Sequence, residues 1–172
     1  MKPPGGSNAL PLENGTPSGG VAAGWKSHPF LEGLSPEYLS ILAECAMPTD
    51  FKPEQIIFRE GEMANRFYLI LAGHVVLEAD AKGSRSVPVD LITAGDVLGW
   101  SWLFPPYTWN FTARAVDSVR AIFFYGTWLR ERCTDDRPFG CELIRRMAAV
   151  AIRRLQAARQ QLVHLAREPD VV

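Results

Sequence analysis

Between Met47 and Phe124 the chain breaks into short stretches rich in β-branched and aromatic residues, each closed by a turn signal. They run from Gln55 to Phe58, Phe67 to Ala72, Val75 to Ala79, Ser86 to Ile92, Phe111 to Ala115 and Val119 to Phe124. Lys52-Pro53, Gly61-Glu62, Gly73, Lys82-Gly83-Ser84 and Gly95-Asp96 punctuate them. Six to eight short strands at this spacing predict a sandwich or jelly roll.

Helical patterns flank that β region. From Phe30 to Ala46, Phe30, Leu34, Tyr38, Leu42 and Cys45 recur at three- and four-residue steps. Ser35-Pro36 reads as an N-cap followed by proline at the first helical position, with Glu37 adding charge to the first turn. The expectation is a short helical entry in two pieces, broken at Gly33. After Tyr125 a short helical piece around Trp128 and Leu129 precedes Asp135-Asp136-Arg137-Pro138. Those aspartates cap a helix running from Pro138 to about Ala166, roughly 40 Å long at ~1.5 Å per residue.

That helix carries a heptad seam. Ile144, Ala148, Ala151, Leu155, Ala158, Leu162 and Leu165 alternate four- and three-residue steps, and the alanines allow close approach of a second helix. A second stripe of Phe139, Leu143, Met147 and Val150 lies beside the seam. One stripe packing on the β region while the other meets a partner gives a parallel homodimer. The alternative is one broad apolar face packed wholly within the chain. Arg145, Arg146, Arg153, Arg154 and Arg159 read as a solvated outer face.

Composition narrows the class. The 172 residues fit one domain, and 47% hydrophobic with 22% charged is far from a disordered chain. No stretch approaches the ~20 apolar residues of a membrane span, and the N-terminus lacks a signal-peptide pattern, so a cytoplasmic protein is expected. A net charge of -1 argues against a dedicated nucleic-acid binder. Residues Met1 to Gly24 are rich in proline and glycine with two charges, and read as a flexible tail before a domain spanning residues 25–168. Cys45, Cys133 and Cys141 form no CxxC pair, and His28, His74 and His164 are scattered. Buried thiols and surface imidazoles are expected, with no metal site.

The segment Ile57-Phe58-Arg59-Glu60-Gly61-Glu62-Met63-Ala64-Asn65-Arg66-Phe67-Tyr68-Leu69-Ile70-Leu71-Ala72-Gly73-His74-Val75 resembles the cyclic nucleotide-binding domain of the catabolite activator protein family. Thr93-Ala94-Gly95-Asp96-Val97-Leu98-Gly99 is similar to that family's Gly-Asp element, and the likeness extends from about His28 to Leu165. It implies an α+β, mainly β fold: an eight-stranded jelly-roll β-barrel with N-terminal helices and a long C-terminal dimerisation helix. Gly61, Gly73 and Gly95 then sit at turns.

In the family, a phosphate-binding cassette follows the Gly-Asp element, with a glutamate for the ribose and an arginine for the cyclic phosphate. The resemblance places the ligand site at Val97, Leu98, Gly99, Trp100, Ser101, Trp109, Asn110, Phe111 and Thr112. Gly99 is retained, but Trp100 stands where the glutamate is expected. One alignment register puts Phe111 at the arginine position, the other Trp109; both lose the arginine. Arg114 points to the opposite face of its strand and reads as a surface residue. Losing one partner of a buried charge pair costs ~2–5 kcal/mol, so cyclic nucleotides are expected to bind weakly.

Three functions follow. The first is a regulatory or sensor module that binds cAMP or cGMP weakly or prefers another small ligand. The second is a ligand-free structural dimerisation or interaction protein whose pocket is closed by Trp100, Trp102 and Trp109. The third, a cupin-type enzyme, needs clustered histidines that the strands do not supply, and a haem-binding relative rests on His74 alone. No enzyme activity and no bound cofactor beyond such a small ligand are expected. Expected partners are a second copy of the chain, a small molecule and a protein not named by the sequence. About six residues follow Ala166, too few for a helix-turn-helix, so sequence-specific DNA binding is not expected.

Overall fold

The computed structural model describes residues 24–80 and 86–165. The expected N-terminal tail lies outside the described residues, Gly24 excepted, as do the last residues of the expected domain.

Eight strands form two four-stranded antiparallel sheets. The first contains β1 (Ala46–Phe51), β8 (Val119–Tyr125), β3 (Arg66–Ala72) and β6 (Val97–Leu98), in that order. The second contains β2 (Ile56–Phe58), β7 (Thr112–Ala115), β4 (Val75–Ala79) and β5 (Val87–Ile92). The six strands legible in the sequence agree to within a residue or so at each end. Gly61, Gly73 and Gly95 do adopt positive φ, at 82°, 88° and 90°.

The strand β3 reads as a continuous apolar run because both its faces are covered. Phe67 stacks on Phe124 and Trp102 and meets Phe30 edge-on, against the helical segments. Tyr68, pointing the other way, meets Phe58 of the second sheet and Phe51. Strand β5 pairs with β4 alone and leaves Val87, Val89 and Leu91 exposed.

The helical entry is divided as expected: a 3-10 turn at Pro29–Leu31, Gly33 at φ 72°, then α1 (Pro36–Ala43). Ser35 Oγ accepts from the Tyr38 amide at 3.3 Å, and Pro36 occupies the first turn. The helix stops at Ala43 rather than continuing to Ala46, which opens β1 and pairs with Phe124. Helix α2 (Gly126–Asp135) leads into α3 (Arg137–Leu165), and Asp136 Oδ1 accepts from the Phe139 amide at 3.0 Å.

The two stripes of α3 separate. Phe139, Leu143, Met147 and Val150 are buried in the core. On the seam, Ile144, Leu155, Ala158 and Leu162 are exposed, Leu155 at 71% and Leu162 at 68%, while Ala148 and Ala151 are half-buried. The arginines do not form one solvated face. Arg146 has a side chain only 13% exposed; it pairs with Glu142 and donates to the carbonyls of Phe30 and Glu32. Arg154 is likewise drawn inward.

The histidine and cysteine expectations need correction. His28 is buried, because its Nδ1 accepts from the Phe30 amide and caps the Pro29–Leu31 turn. His74 is a surface imidazole, 2.6 Å from Asp117. Cys45 is buried, and desolvation pushes its thiol up to about 12. Cys141 is exposed on α3. Among the described residues no group of His, Cys, Asp or Glu is arranged to hold a metal ion, and no helix is long and apolar enough to cross a membrane.

Candidate functional site

The site is built where the chain leaves the first sheet and enters the second. The Thr93–Asp96 turn is tied by Asp96 Oδ2, which accepts from the Thr93 amide at 2.9 Å and its hydroxyl at 3.1 Å. It feeds β6, whose two residues pair with Tyr68 and Leu69. Gly99 follows at φ 81°, then Trp100 and the 3-10 turn Ser101–Leu103. The chain returns through Trp109 into β7.

Trp109 is held at both ends of its backbone: its amide donates to Glu62 and its carbonyl accepts from Gly61, each at 2.9 Å. The Gly-Glu turn, one of the motifs legible in the sequence, thus fixes the indole. The ring stacks on Phe58 with centroids 3.9 Å apart and planes 13° from parallel. Its other edge closes on Gly99: a Cβ built there lies 2.7 Å from Trp109 Cζ3 and 2.8 Å from Cη2. Glycine at 99 is therefore required twice, by its left-handed backbone and by the ring against it.

The remaining cavity inside the cassette is about 20 Å³, the size of one water. Leu98, Gly99, Trp100, Ser101, Trp109, Asn110 and Phe111 line it, with Phe58, Leu77 and Arg154. Asn110 Nδ2 donates to Ser101 Oγ at 3.2 Å. Of the other two residues named from the sequence, Val97 is buried with its carbonyl toward α3, and Thr112 turns its hydroxyl to accept from the Glu60 amide at 3.1 Å. Trp102 does not join Trp100 and Trp109 in closing the pocket. It is fully buried behind the site, stacked on Phe67 at 5.4 Å.

Outside this plug lies a cleft of about 510 Å³ between the second sheet and α3. Trp100 and Phe111 form its floor with Leu77 and Val89. Ala151, Leu155 and Ala158 of the seam, with Arg154, Ala157 and Gln161, form the α3 wall. Three seam residues therefore border the cleft as well as the open side of the helix.

Arg154 is the site residue that sequence reasoning missed. Its side chain is 20% exposed; Nη2 donates to the Val97 carbonyl, and Nε lies 3.8 Å from Asp90 Oδ2. Burial pushes its pKa down, opposed by Asp90 and Asp96, but a guanidinium stays charged at neutral pH. The signal was present: the buried stripe Leu143, Met147, Val150 continues by a four-residue step onto Arg154. Arg114 is no substitute. It faces away and is held by Glu78 at 2.5 Å and Glu54 at 2.8 Å.

With this geometry in place, the comparisons with known proteins are direct. The family model for the cyclic nucleotide-binding domain matches residues 48–135, just over half of the chain. A CRP-like cAMP-activated global transcriptional regulator of Mycobacterium tuberculosis is 28% identical over 136 residues, 79% of this chain and 59% of that relative. The chain thus spans about 59% of the length of the curated relative it matches. A crystal structure from Geobacter metallireducens GS-15 superposes with a TM-score of 0.67 at 29% identity, covering 73% of this chain and 91% of that one. Thermus thermophilus catabolite activator protein gives 0.63 at 22% identity, covering 80% and 63%, a likeness of fold. The matched residues include the Gly61-Glu62 turn, β6 and the whole cassette, and the chain belongs to the cyclic nucleotide-binding domain family.

Proposed function

We propose that this chain is a regulatory, non-enzymatic module of the cyclic nucleotide-binding family whose cassette no longer accommodates a cyclic nucleotide. The observation that carries the reading is Trp109, seated between Phe58 and Gly99 where a ligand would need space. Trp100 and Phe111 add aromatic bulk in place of the two charged anchors, leaving about 20 Å³. The two sheets are read as the halves of a jelly roll, which their interleaved strand orders support.

The module acts as a parallel homodimer through α3, supported by the exposed Ile144, Leu155 and Leu162 at heptad spacing beside a stripe already used by the core. It works in the cytoplasm without membrane or sequence-specific DNA contact of its own; the net charge of -1, the carboxylate pairing of Arg114 and the inward ties of Arg146 and Arg154 support that part. A ligand-free dimerisation protein is the second reading, favoured by the filled cassette. The 510 Å³ cleft beside it favours the ligand-responsive one.

Calorimetric titration with cAMP and cGMP tests the core of the proposal. Two lost charged anchors represent roughly 4–10 kcal/mol, which leaves binding no tighter than about millimolar. A micromolar dissociation constant for the unmutated protein defeats it.

A further inference from the structure

One face of the first sheet carries an aromatic patch that belongs to neither the cassette nor the cleft. Side chains alternate along a strand, so Phe123 and Tyr125 of β8 point away from Phe124, which faces Trp25 and Phe67. Met47 of β1 lies opposite Phe123 in register, and Arg66 of β3 lies opposite Tyr125. The Phe123 and Tyr125 rings meet edge to face with centroids 5.0 Å apart, and the Arg66 guanidinium lies 5.6 Å from the centre of Phe123. Met47 and Tyr125 are nonetheless each 47% exposed. None of the four residues lines the cassette cavity or the cleft.

What the patch lacks is a carboxylate. Arg66 Nε donates to Asn65 Oδ1 at 3.0 Å, and among the described residues no Asp or Glu pairs with it. An aromatic surface rimmed by such an arginine fits an extended, proline-containing segment that carries leucines and one acid. Residues 1–23 hold such a segment, Leu10-Pro11-Leu12-Glu13. Proline disfavours helix at its own position and at the residue before it, so this sequence favours extended backbone. Reach is ample. The described chain begins at Gly24, and Trp25 packs edge-on against Phe124, on the opposite face of the strand that carries Phe123 and Tyr125. The stretch from Glu13 to Gly24 spans up to about 36 Å at ~3.3 Å per residue. Only the edge strand β1 separates β8 from the rim of the sheet.

We propose that Leu10-Pro11-Leu12-Glu13 docks on this patch of its own chain. Leu10 and Leu12 cover Met47 and Tyr125, Pro11 lies against an aromatic ring, and Glu13 pairs with Arg66. Tethering holds the segment near the patch at an effective concentration on the order of millimolar, so even a weak intrinsic contact is populated. The chain thereby covers the aromatic face of its own first sheet.

Methyl nuclear magnetic resonance on the full chain, labelled at leucine and methionine, tests this. The expected result is a nuclear Overhauser contact within one chain between the Met47 methyl group and those of Leu10 or Leu12. Leu10→Ser with Leu12→Ser removes the contact and moves the Met47 methyl resonance, while that of Met147, fully buried in the core, stays in place. Charge reversal isolates the ion pair. Glu13→Arg and Arg66→Glu each weaken the contact severalfold, and the two together restore it. A Met47 resonance unchanged in the leucine variant overturns the docking. A contact seen only in a mixture of leucine-labelled and methionine-labelled chains also overturns it, because a second copy is then the occupant. A double reversal that fails to restore the contact overturns the pairing of Glu13 with Arg66. The titration with cyclic nucleotides decides the cassette separately.

Discussion

The plugged cassette predicts an energetic coupling between Gly99 and Trp109. Gly99→Ala carries two penalties. A left-handed backbone at φ 81° costs an L-residue roughly 1–2 kcal/mol. The new methyl group then lies 2.7 and 2.8 Å from two carbons of the indole, and overpacking of that kind costs about 1–3 kcal/mol. Alone, Gly99→Ala is expected to destabilise by about 2–5 kcal/mol. Trp109→Leu loses the stack on Phe58 and leaves a void, at a cost of about 2–4 kcal/mol. In the double variant the methyl group moves into the space the ring vacates. The overpacking cost goes and the backbone cost remains, so the pair costs about 1–3 kcal/mol less than the sum. Urea unfolding followed by far-ultraviolet circular dichroism measures this, at one protein concentration because a dimer's stability depends on it. Additivity within about 0.5 kcal/mol means that the ring does not press on Gly99 and that the cassette is not closed in this way.

Leu162 is exposed on the seam and lies outside the cleft lining, so Leu162→Asp is expected to convert the proposed dimer to monomer with the monomer fold intact. Sedimentation or light scattering at micromolar concentration reads this, and a wild-type monomer refutes the seam assignment. Burial lowers the pKa of His28 below its ordinary 6.5. As pH falls below 6.5 the unfolded chain takes up a proton there that the folded chain does not, so stability drops between 6.5 and the lowered folded value. Thermal unfolding from pH 7 to pH 5 is expected to show this slope in the wild type and a flatter one in His28→Asn; identical slopes refute it.

The sequence determined the elements that local chemistry specifies. Ser35-Pro36 sets the start of α1 through its own hydroxyl and ring, Asp136 caps α3, and glycines 61, 73 and 95 turn the chain because they tolerate positive φ. The apolar run of β3 and the two stripes of α3 were legible because burial imposes a period on the side chains. The proposed loss of the cassette's charged anchors rests on the family resemblance, which puts Trp100 and either Trp109 or Phe111 at those positions. Strands β1 and β6 were not legible in the sequence. β1 carries Pro48 and Asp50 and is held as a strand by pairing with β8, and the two residues of β6 are strand only because β3 lies beside them. Tertiary structure also decided which aromatic ring plugs the cassette. Trp102 and Trp109 look alike in sequence, yet one is packed behind the site on Phe67 and the other is pinned by the Gly61-Glu62 turn against Gly99. The same holds for the arginines of α3. Arg153 and Arg154 are neighbours in the chain, and only the placement of α3 beside β5 and β6 turns Arg154 toward Asp90 and Val97, because charge partners distant in sequence exist only once the fold brings them together.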